Sequence, residues 1–307
     1  MFMHERAHPD TESMVRLAGG VFAMGCEEFY SEEAPVRRVS VSPFLIDRTP
    51  VTNRQFAAFI SATGYVTLAE KAPDPALYPG ILPEMVEAGS IVFVAPEAAI
   101  HMSHENWWQY VAGASWRHPY GPNTGLDVLD GELADHPVVH IAYQDALAYA
   151  HWAGKRLPTE AEAEYAARGG LEGQPFAWGS ELKPDGMLMA NIWLEGFPVV
   201  RPGRPGPPYT TPVGTYPANG FGLQDMIGNV WEWTSSDASG SAGNNGCCAK
   251  APESLDPAHL KVLKGGSHLC APNYCQRYRP AARWFQPVDT STTHVGFRCA
   301  LDDTRHR

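Results

Sequence analysis

Two cysteines near the carboxyl end of the chain are the residues most able to do chemistry. Cys270 and Cys275 are five positions apart, and the segment between them contains Ala-Pro-Asn. Thiols at this spacing reach each other across a tight loop, so they can form a short disulfide or hold a soft metal ion. From spacing alone, a structural disulfide is the favoured interpretation. If a metal binds instead, two thiolates fit Cu(I) better than structural zinc, because zinc needs two further ligands and the adjacent Cys247 and Cys248 lack zinc-type spacing.

Three arginines follow the cysteine pair closely. Arg277 and Arg279 are two positions apart, so on a strand they would share one face, and Arg283 comes shortly after them. Positive charge at these positions would lower the pKa of the two thiols. The alternative is a structural role, in which the arginines form ion pairs and pack on Tyr274 and Tyr278.

Composition and charge limit the class of protein. The 307 residues are 44% hydrophobic and 19% charged, as in folded globular proteins. Lysine and arginine number 23 and aspartate and glutamate 34, which gives a net charge of −11 and disfavours nucleic acids and anionic membranes as partners. No apolar run approaches the roughly 18 residues of a membrane-spanning helix. Because no apolar secretion signal is visible at the start, we expect a cytoplasmic protein whose thiols stay mostly reduced.

The local patterns predict one α+β domain with little regular structure. The 29 glycines and 27 prolines indicate many turns and long ordered loops. Capping boxes at 52–55 and 159–162 predict two helices, which end at Gly64 and Gly169, and a further helix is predicted from Asp145 to Trp152. Alternating residues predict strands over 21–24, 36–41 and 138–141. We expect a flexible tail over residues 1–13 and a single domain over residues 14–303.

The stretch from Lys264 to Arg283, with 294–299, closely resembles the C-terminal signature of the formylglycine-generating enzymes, or sulfatase-modifying factors. Further blocks resemble the family in the same order; they are residues 117–122, 135–138, 152–162, 191–193, 220–223 and 228–233. Several of these blocks are shared with a wider superfamily, whereas the paired cysteines are specific to the true enzymes. The resemblance implies the compact family fold, which is distantly C-type-lectin-like.

The resemblance also implies an activity. Members of this family use O2 to oxidise a cysteine in a Cys-x-Pro-x-Arg segment of an unfolded sulfatase to Cα-formylglycine. By similarity, Cys270 and Cys275 would hold Cu(I) with an open position for the substrate thiolate. The partners would be the unfolded sulfatase, O2 and a thiol reductant, and the family precedent is a monomer.

Further site residues are carried over from the family pattern. Ser267 would border the pocket for O2 and the substrate thiol, and Tyr274 and Trp231 would wall it and exclude water. A second group would shape the site and bind the peptide; its members are Trp116, Arg277, Arg279, Arg283 and His294. The alternative for each aromatic residue is ordinary core packing.

Calcium is the second cofactor that the resemblance implies. One family site is matched by two carboxylates with two loop carbonyls between them, from Asp225, Gly228, Val230 and Glu232. The other family site uses Asn191 and Ile192 together with an acidic residue further along the chain. Here that region, residues 203–207, reads Gly-Arg-Pro-Gly-Pro, so the acid is absent and we expect a water or nothing in place of calcium.

Cys299 departs from the family pattern. Members from oxidising compartments pair it with another cysteine, but Ala167 occupies that partner's position here. We therefore expect Cys299 to be a free buried thiol.

Two other functions compete with this interpretation. A non-haem iron oxygenase acting on small thiols needs a histidine-rich site, but neither His101 with His104 nor His136 with His140 has the spacing of the sulfoxide synthases. We expect His136 and His140 to be structural. A non-catalytic peptide-binding module of the same fold would have no need of the two thiols.

Overall fold

The computed structural model describes residues 10–96, 107–129, 131–199, 207, 209–238 and 260–303. Most of the predicted tail, the His101 and His104 pair, the Cys247 and Cys248 pair, and nearly all of the segment that lacks the calcium-binding acid lie outside these ranges. Among the described residues, no helix is long and apolar enough to cross a membrane.

Three α-helices form where the sequence predicts them. They are α1 (Asn53–Thr63), α2 (Tyr143–Trp152) and α3 (Glu160–Arg168). The side chain of Thr52 accepts from the backbone of Gln55, and Thr159 does the same for Glu162, so both predicted capping boxes are present. Helices α1 and α3 end at glycines in the left-handed conformation, Gly64 and Gly169, which carry no Cβ to clash there.

The described strands form small sheets. In chain order they are β1 (Met14–Leu17), β2 (Gly20–Met24), β3 (Arg37–Val41), β4 (Phe44–Asp47), β5 (Gly89–Phe93), β6 (Trp108–Ala112), β7 (Trp231–Asp237), β8 (Leu260–Lys264), β9 (Arg283–Pro287), β10 (Val295–Gly296) and β11 (Ala300–Asp302). A four-stranded sheet has the order β10-β7-β8-β9, with β10 parallel to β7 and the other pairs antiparallel. A three-stranded antiparallel sheet has the order β1-β4-β11, and two hairpins pair β2 with β3 and β5 with β6. This architecture confirms the α+β prediction.

The strand predicted over 138–141 is wrong. His140 has a φ of 58°, which turns the chain out of the extended conformation that a strand needs. Val138 instead donates its N–H to the carbonyl of Val51, and Pro137 forms an isolated bridge with Thr52. The hydrophobic residues of this segment are buried in the core without belonging to a sheet.

The largest core cluster contains both cysteines of the pair. Phe56, Trp116 and Trp231 pack in it with Cys270 and Cys275. A second, aromatic cluster adjoins the cysteines on the other side; its buried members are Phe93, Trp107, Trp193, Phe197, Tyr209, Leu269 and Ala271. The cysteine loop therefore lies between two packed aromatic groups, which hold it in place without regular secondary structure.

Candidate functional site

Cys270 and Cys275 lie side by side as free thiols. Their sulfurs are 3.3 Å apart, a hydrogen-bonded contact between thiols, and both residues are buried, with exposed fractions of 2% and 1%. Neither forms a disulfide, so the interpretation favoured from spacing alone is not what the structure contains. Two thiols this close can share a proton or bind one soft cation.

A tight loop after β8 brings the two sulfurs together. The N–H of Cys270 donates to the carbonyl of Ser267 at 3.0 Å, and the N–H of Cys275 donates to that of Ala271 at 2.8 Å. The carbonyl of Cys270 also accepts from the N–H of Trp193 at 2.9 Å, which ties the loop to a distant part of the chain. The loop backbone thus brings the two sulfurs side by side without belonging to a helix or a sheet.

A small cavity opens against the cysteine pair, and it holds about one water-sized molecule. Its other lining residues are Trp108, Phe197, Ser267, Leu269, Tyr274 and His294. The structure thus brings Ser267, Tyr274 and His294, three of the residues carried over from the family pattern, to the cavity of the cysteines. Apart from the Ser267 hydroxyl, the His294 ring, the Tyr274 hydroxyl and the indole N–H of Trp108, the lining side chains are apolar or sulfur-bearing, so the cavity disfavours bulk water.

Sequence reasoning missed three of the lining residues, namely Trp108, Phe197 and Leu269. The ring of Phe197 stacks on that of Tyr274 with centroids 4.6 Å apart and an interplanar angle of 14°. Leu269 lies inside the signature itself, and its position one residue before Cys270 was the available signal. Trp108 and Phe197 come from distant segments, and no local pattern pointed to them.

His294 forms one side of the cavity as a neutral ring. Its Nδ1 hydrogen-bonds with the hydroxyl of Thr292 at 3.0 Å, and its ring centroid lies 5.0 Å from that of Trp108. Burial, together with the nearby His268 and His140, holds the pKa of His294 well below its usual value. The side chain therefore adds polarity to the cavity without adding charge.

Trp116 and Trp231 do not line the cavity, although the sequence predicts that they shape and wall it. Both are fully buried in the largest core cluster. The ring of Trp116 packs edge-on against Phe56 at 5.4 Å, and the N–H of Trp231 in β7 donates to the carbonyl of His294 at 2.8 Å. Core packing, the alternative interpretation, describes both residues.

The three arginines form buried ion pairs and do not line the cavity. Arg277 pairs with Glu32 and Arg279 with Glu33, and Arg283 pairs with Glu160 at 2.8 Å. The predicted positive charge beside the thiols is therefore balanced by one carboxylate for each guanidinium. All three arginines are buried, so ion pairing accounts for their contacts within the chain, and their role in binding the peptide stays a prediction.

Asp225 and Glu232 lie buried in one polar region, as the first calcium prediction requires. Burial raises the pKa of both carboxyls, which nearby Arg298 opposes. Arg298 binds both carboxylate oxygens of Glu232, at 2.6 and 2.8 Å, and Asp225 accepts from the N–H of Gly214 at 2.7 Å. Two buried acids against one arginine leave an excess of negative charge, which a hard cation such as calcium would offset. Gly228 and Val230, whose carbonyls the calcium prediction also names, lie between the two acids in the chain.

Asn191, named for the second calcium site, is buried and hydrogen-bonded. Its side-chain N–H donates to the carbonyl of Tyr209 at 2.9 Å, and its backbone carbonyl accepts from the backbone N–H of Asn229 at 2.9 Å. Ile192 is buried in the main core. Within the described ranges, no group of three or more His, Cys, Asp or Glu side chains is arranged to hold a metal.

The other predicted residues are structural. His136 and His140 are buried, and their Nδ1 atoms hydrogen-bond with the hydroxyls of Thr210 and Ser90 at 2.9 and 2.8 Å. Cys299 is a fully buried free thiol, as predicted. Burial and the charge of Asp47 raise its pKa well above the usual value, which makes it unreactive.

The fold and the cysteine cavity together define a family. The sequence matches the sulfatase-modifying factor enzyme 1-like domain over residues 2–303, so the chain belongs to that family. A formylglycine-generating enzyme of Mycobacterium tuberculosis is 53% identical over 296 residues, which cover 94% of this chain and 97% of the relative.

More distant relatives share the fold. An inactive C-alpha-formylglycine-generating enzyme 2 of Bos taurus is 35% identical over 96% of this chain and 90% of its own. The solved structure of PvdO from Pseudomonas aeruginosa aligns with a TM-score of 0.58 at 23% identity, over 94% of each chain. That last likeness shows the fold alone.

Proposed function

We propose that this chain is a formylglycine-generating oxidase that converts a cysteine of a sulfatase to Cα-formylglycine. Its similarity to named formylglycine-generating enzymes supports the activity. The observation that carries the proposal is the buried pair of free thiols, 3.3 Å apart, beside a cavity. We further propose the finer details: a Cys-x-Pro-x-Arg segment of an unfolded sulfatase as substrate, O2 as oxidant and copper as cofactor.

The overall reaction needs electrons from outside. A cysteine thiol, O2, two electrons and two protons give an aldehyde, hydrogen sulfide and water, so atoms and charge balance. A thiol reductant supplies the electrons and protons as two of its molecules join in a disulfide. The Cys270 and Cys275 thiolates suit Cu(I), which when bound would supply a centre that accepts a further thiolate and reacts with O2.

The protein's own residues prepare the place where the substrate thiol enters. Phe197, Tyr274 and Trp108 exclude bulk water, and an apolar cavity favours a small apolar molecule such as O2 over water. The hydroxyl of Ser267 accepts the N–H of Leu269 at 3.3 Å and lies at the cavity, where it can meet the incoming thiol. The neutral His294 adds no positive charge beside the sulfurs.

A binding module without catalysis is the second candidate. A bovine relative that is 35% identical is named an inactive enzyme, which supports this alternative. A binding module has no use for two buried thiols held in contact. The assay below separates the two functions.

Incubation with a short peptide of the Leu-Cys-Thr-Pro-Ser-Arg type tests the proposal. With air, Cu(I) and a thiol reductant, mass spectrometry should find the thiol replaced by an aldehyde, and chelating the copper should prevent this. The same peptide with serine in place of cysteine is the control for other mass changes. If the cysteine peptide binds but is never converted at any copper concentration, the binding module is the correct function.

A further inference from the structure

Residues 29–33, which we call the clamp loop, grip the chain directly after Cys275. The buried Glu32 and Glu33 pair with Arg277 and Arg279, and the second pair has two hydrogen bonds, one of 2.7 Å between Nη1 and Oε2. The hydroxyl of Tyr30 accepts the backbone N–H of Gln276 at 3.0 Å. A loop near the start of the chain thus supplies the hydrogen-bond acceptor for the backbone next to Cys275.

Stacked rings complete the grip. The guanidinium of Arg277 lies 3.9 Å from the ring centroid of Tyr30, and that of Arg279 lies 3.7 Å from the centroid of Phe29. Planar guanidinium groups on aromatic faces have little freedom to move, because both the stack and the carboxylate bonds fix their planes.

The clamp loop is itself tied to rigid structure. The N–H of Cys26 donates to the carbonyl of Glu33 at 3.2 Å. Just before it, the N–H of Gly25 donates to Glu164 at 2.7 Å, and Arg168 donates to the carbonyl of Gly25 at 2.9 Å. Glu164 and Arg168 belong to α3. The clamp loop is therefore fixed to this helix at one end and to the cysteine segment at the other.

The two cysteines are therefore held from different parts of the fold. Cys270 is tied to Trp193 through its carbonyl, whereas the chain after Cys275 is held by the clamp loop. The segment between them is a short turn that hydrogen-bonds within itself, so the distance between the sulfurs depends on both attachments.

We propose that Tyr30, Glu32 and Glu33 are positioning residues that set the spacing of the Cys270 and Cys275 sulfurs. The catalytic consequence of this role rests on the proposed function, because conversion of a substrate thiol requires both sulfurs to be correctly placed. The effect of the three residues on the sulfur pair can be tested without that function, through the rate at which a Cys270–Cys275 disulfide forms.

Tyr30→Phe is the most selective test. It removes the one oxygen that accepts from Gln276 and leaves the ring that stacks on Arg277. Gln276 is exposed, so water can take over its N–H and the melting temperature should stay close to that of the wild type. Tyr78→Phe is the matched control, because it removes a 2.9 Å hydroxyl bond to Asp289, and Tyr78 belongs neither to the clamp loop, nor to α3, nor to the cavity lining.

The first readout needs no metal. In copper-free protein, oxidised glutathione takes two electrons from the pair and closes a Cys270–Cys275 disulfide, which alkylation and peptide mass spectrometry quantify. We expect Tyr30→Phe to slow this closure by about fivefold, the equivalent of one net hydrogen bond, and Tyr78→Phe to leave it unchanged. Glu33→Gln should slow it further while near-ultraviolet circular dichroism still reports a folded protein.

The second readout is turnover of the cysteine peptide. Tyr30→Phe should lower kcat with KM unchanged, because the clamp loop contacts the cysteine segment and not the cavity lining. If the wild type makes no formylglycine, the proposed function fails while the closure rates still test the clamp. Closure rates equal to the wild type in both Tyr30→Phe and Glu33→Gln would overturn the positioning role.

Discussion

Among the cysteines of this protein, the neighbouring groups decide the chemistry of each thiol. The thiols of Cys270 and Cys275 face a cavity and each other, whereas Cys299 is enclosed beside Asp47 and is inert. Both kinds of cysteine are buried, so burial alone does not separate a reactive thiol from a structural one. The groups around each thiol make the difference, and the sequence signature indicated that Cys270 and Cys275 are the pair beside the cavity.

His140 gives a prediction at this scale, for the dependence of stability on pH. Burial lowers its pKa to about 4, which its hydrogen bond to the carbonyl of Pro119 opposes. Between the unfolded pKa of about 6.5 and the folded value, the unfolded chain binds the extra proton, so stability falls as the pH falls. His140→Asn, which also tolerates the positive φ, should lose about 2 kcal/mol less than the wild type between pH 7 and pH 5.

Urea unfolding at the two pH values measures this difference. Comparing each protein with itself at pH 7 removes the cost of the substitution. Equal losses of unfolding free energy in the two proteins would show that His140 carries no part of the acid sensitivity.

At the scale of elements, the cysteine loop depends on glycines that let backbones approach closely. Gly266 has a φ of 73°, and a Cβ there would lie 2.4 Å from the carbonyl oxygen of Arg277. Gly64, at the end of α1, has a similar φ of 66°, but its Cβ would meet nothing within 4 Å. A side chain at either position would be strained by the positive φ, but only at Gly266 would it also collide with a neighbouring backbone.

Alanine substitutions at Gly64 and Gly266 therefore separate the cost of the positive φ from the effect of displacing the neighbouring backbone. Gly64→Ala should cost about 1–2 kcal/mol from the left-handed backbone alone and leave peptide conversion intact. Gly266→Ala should cost more and lower conversion at least about tenfold, because it pushes Arg277 and the chain after Cys275 away from the cysteine loop. Chemical denaturation and the peptide assay measure the two effects, and equal activity in both variants would contradict the close approach as a functional contact.

Elements with local signals were predictable, and those made by distant contacts were not. The capping boxes at Thr52 and Thr159 and the glycines that end α1 and α3 marked two helices correctly. The segment at 138–141 has the composition of a strand, but the left-handed turn at His140 is imposed by its buried hydrogen bonds to Ser90 and Pro119. In the site, Phe197 and Trp108 escaped prediction because tertiary packing alone brings them to the cysteines.

At the scale of the whole molecule, charge is balanced inside the protein by paired groups. Arg277 and Arg279, which follow Cys275 in the chain, pair with glutamates, whereas Asp225 and Glu232 form a buried region with an excess of acid. We propose that calcium binds there, where it would connect β7 to the loop that precedes it.

Calcium removal should therefore lower stability. Calcium at a hundred times its dissociation constant adds about 2.7 kcal/mol to the unfolding free energy, so protein treated with a calcium chelator should melt at a lower temperature. Asp225→Ala should abolish the increment that added calcium gives, whatever its own melting temperature. Asp289→Ala, a substitution of a surface acid that bonds Tyr78, should retain that increment. An increment that survives in Asp225→Ala would place calcium elsewhere.

Serine variants of Cys270 and Cys275 test whether these two thiols carry out the proposed oxidation. Formylglycine formed on the cysteine peptide is quantified by mass spectrometry for the wild type, Cys270→Ser, Cys275→Ser and Cys299→Ala at equal copper. We expect both pair variants to form no aldehyde while remaining folded, and Cys299→Ala to form it at close to the wild-type rate. Full activity in either pair variant would contradict the assignment of the site.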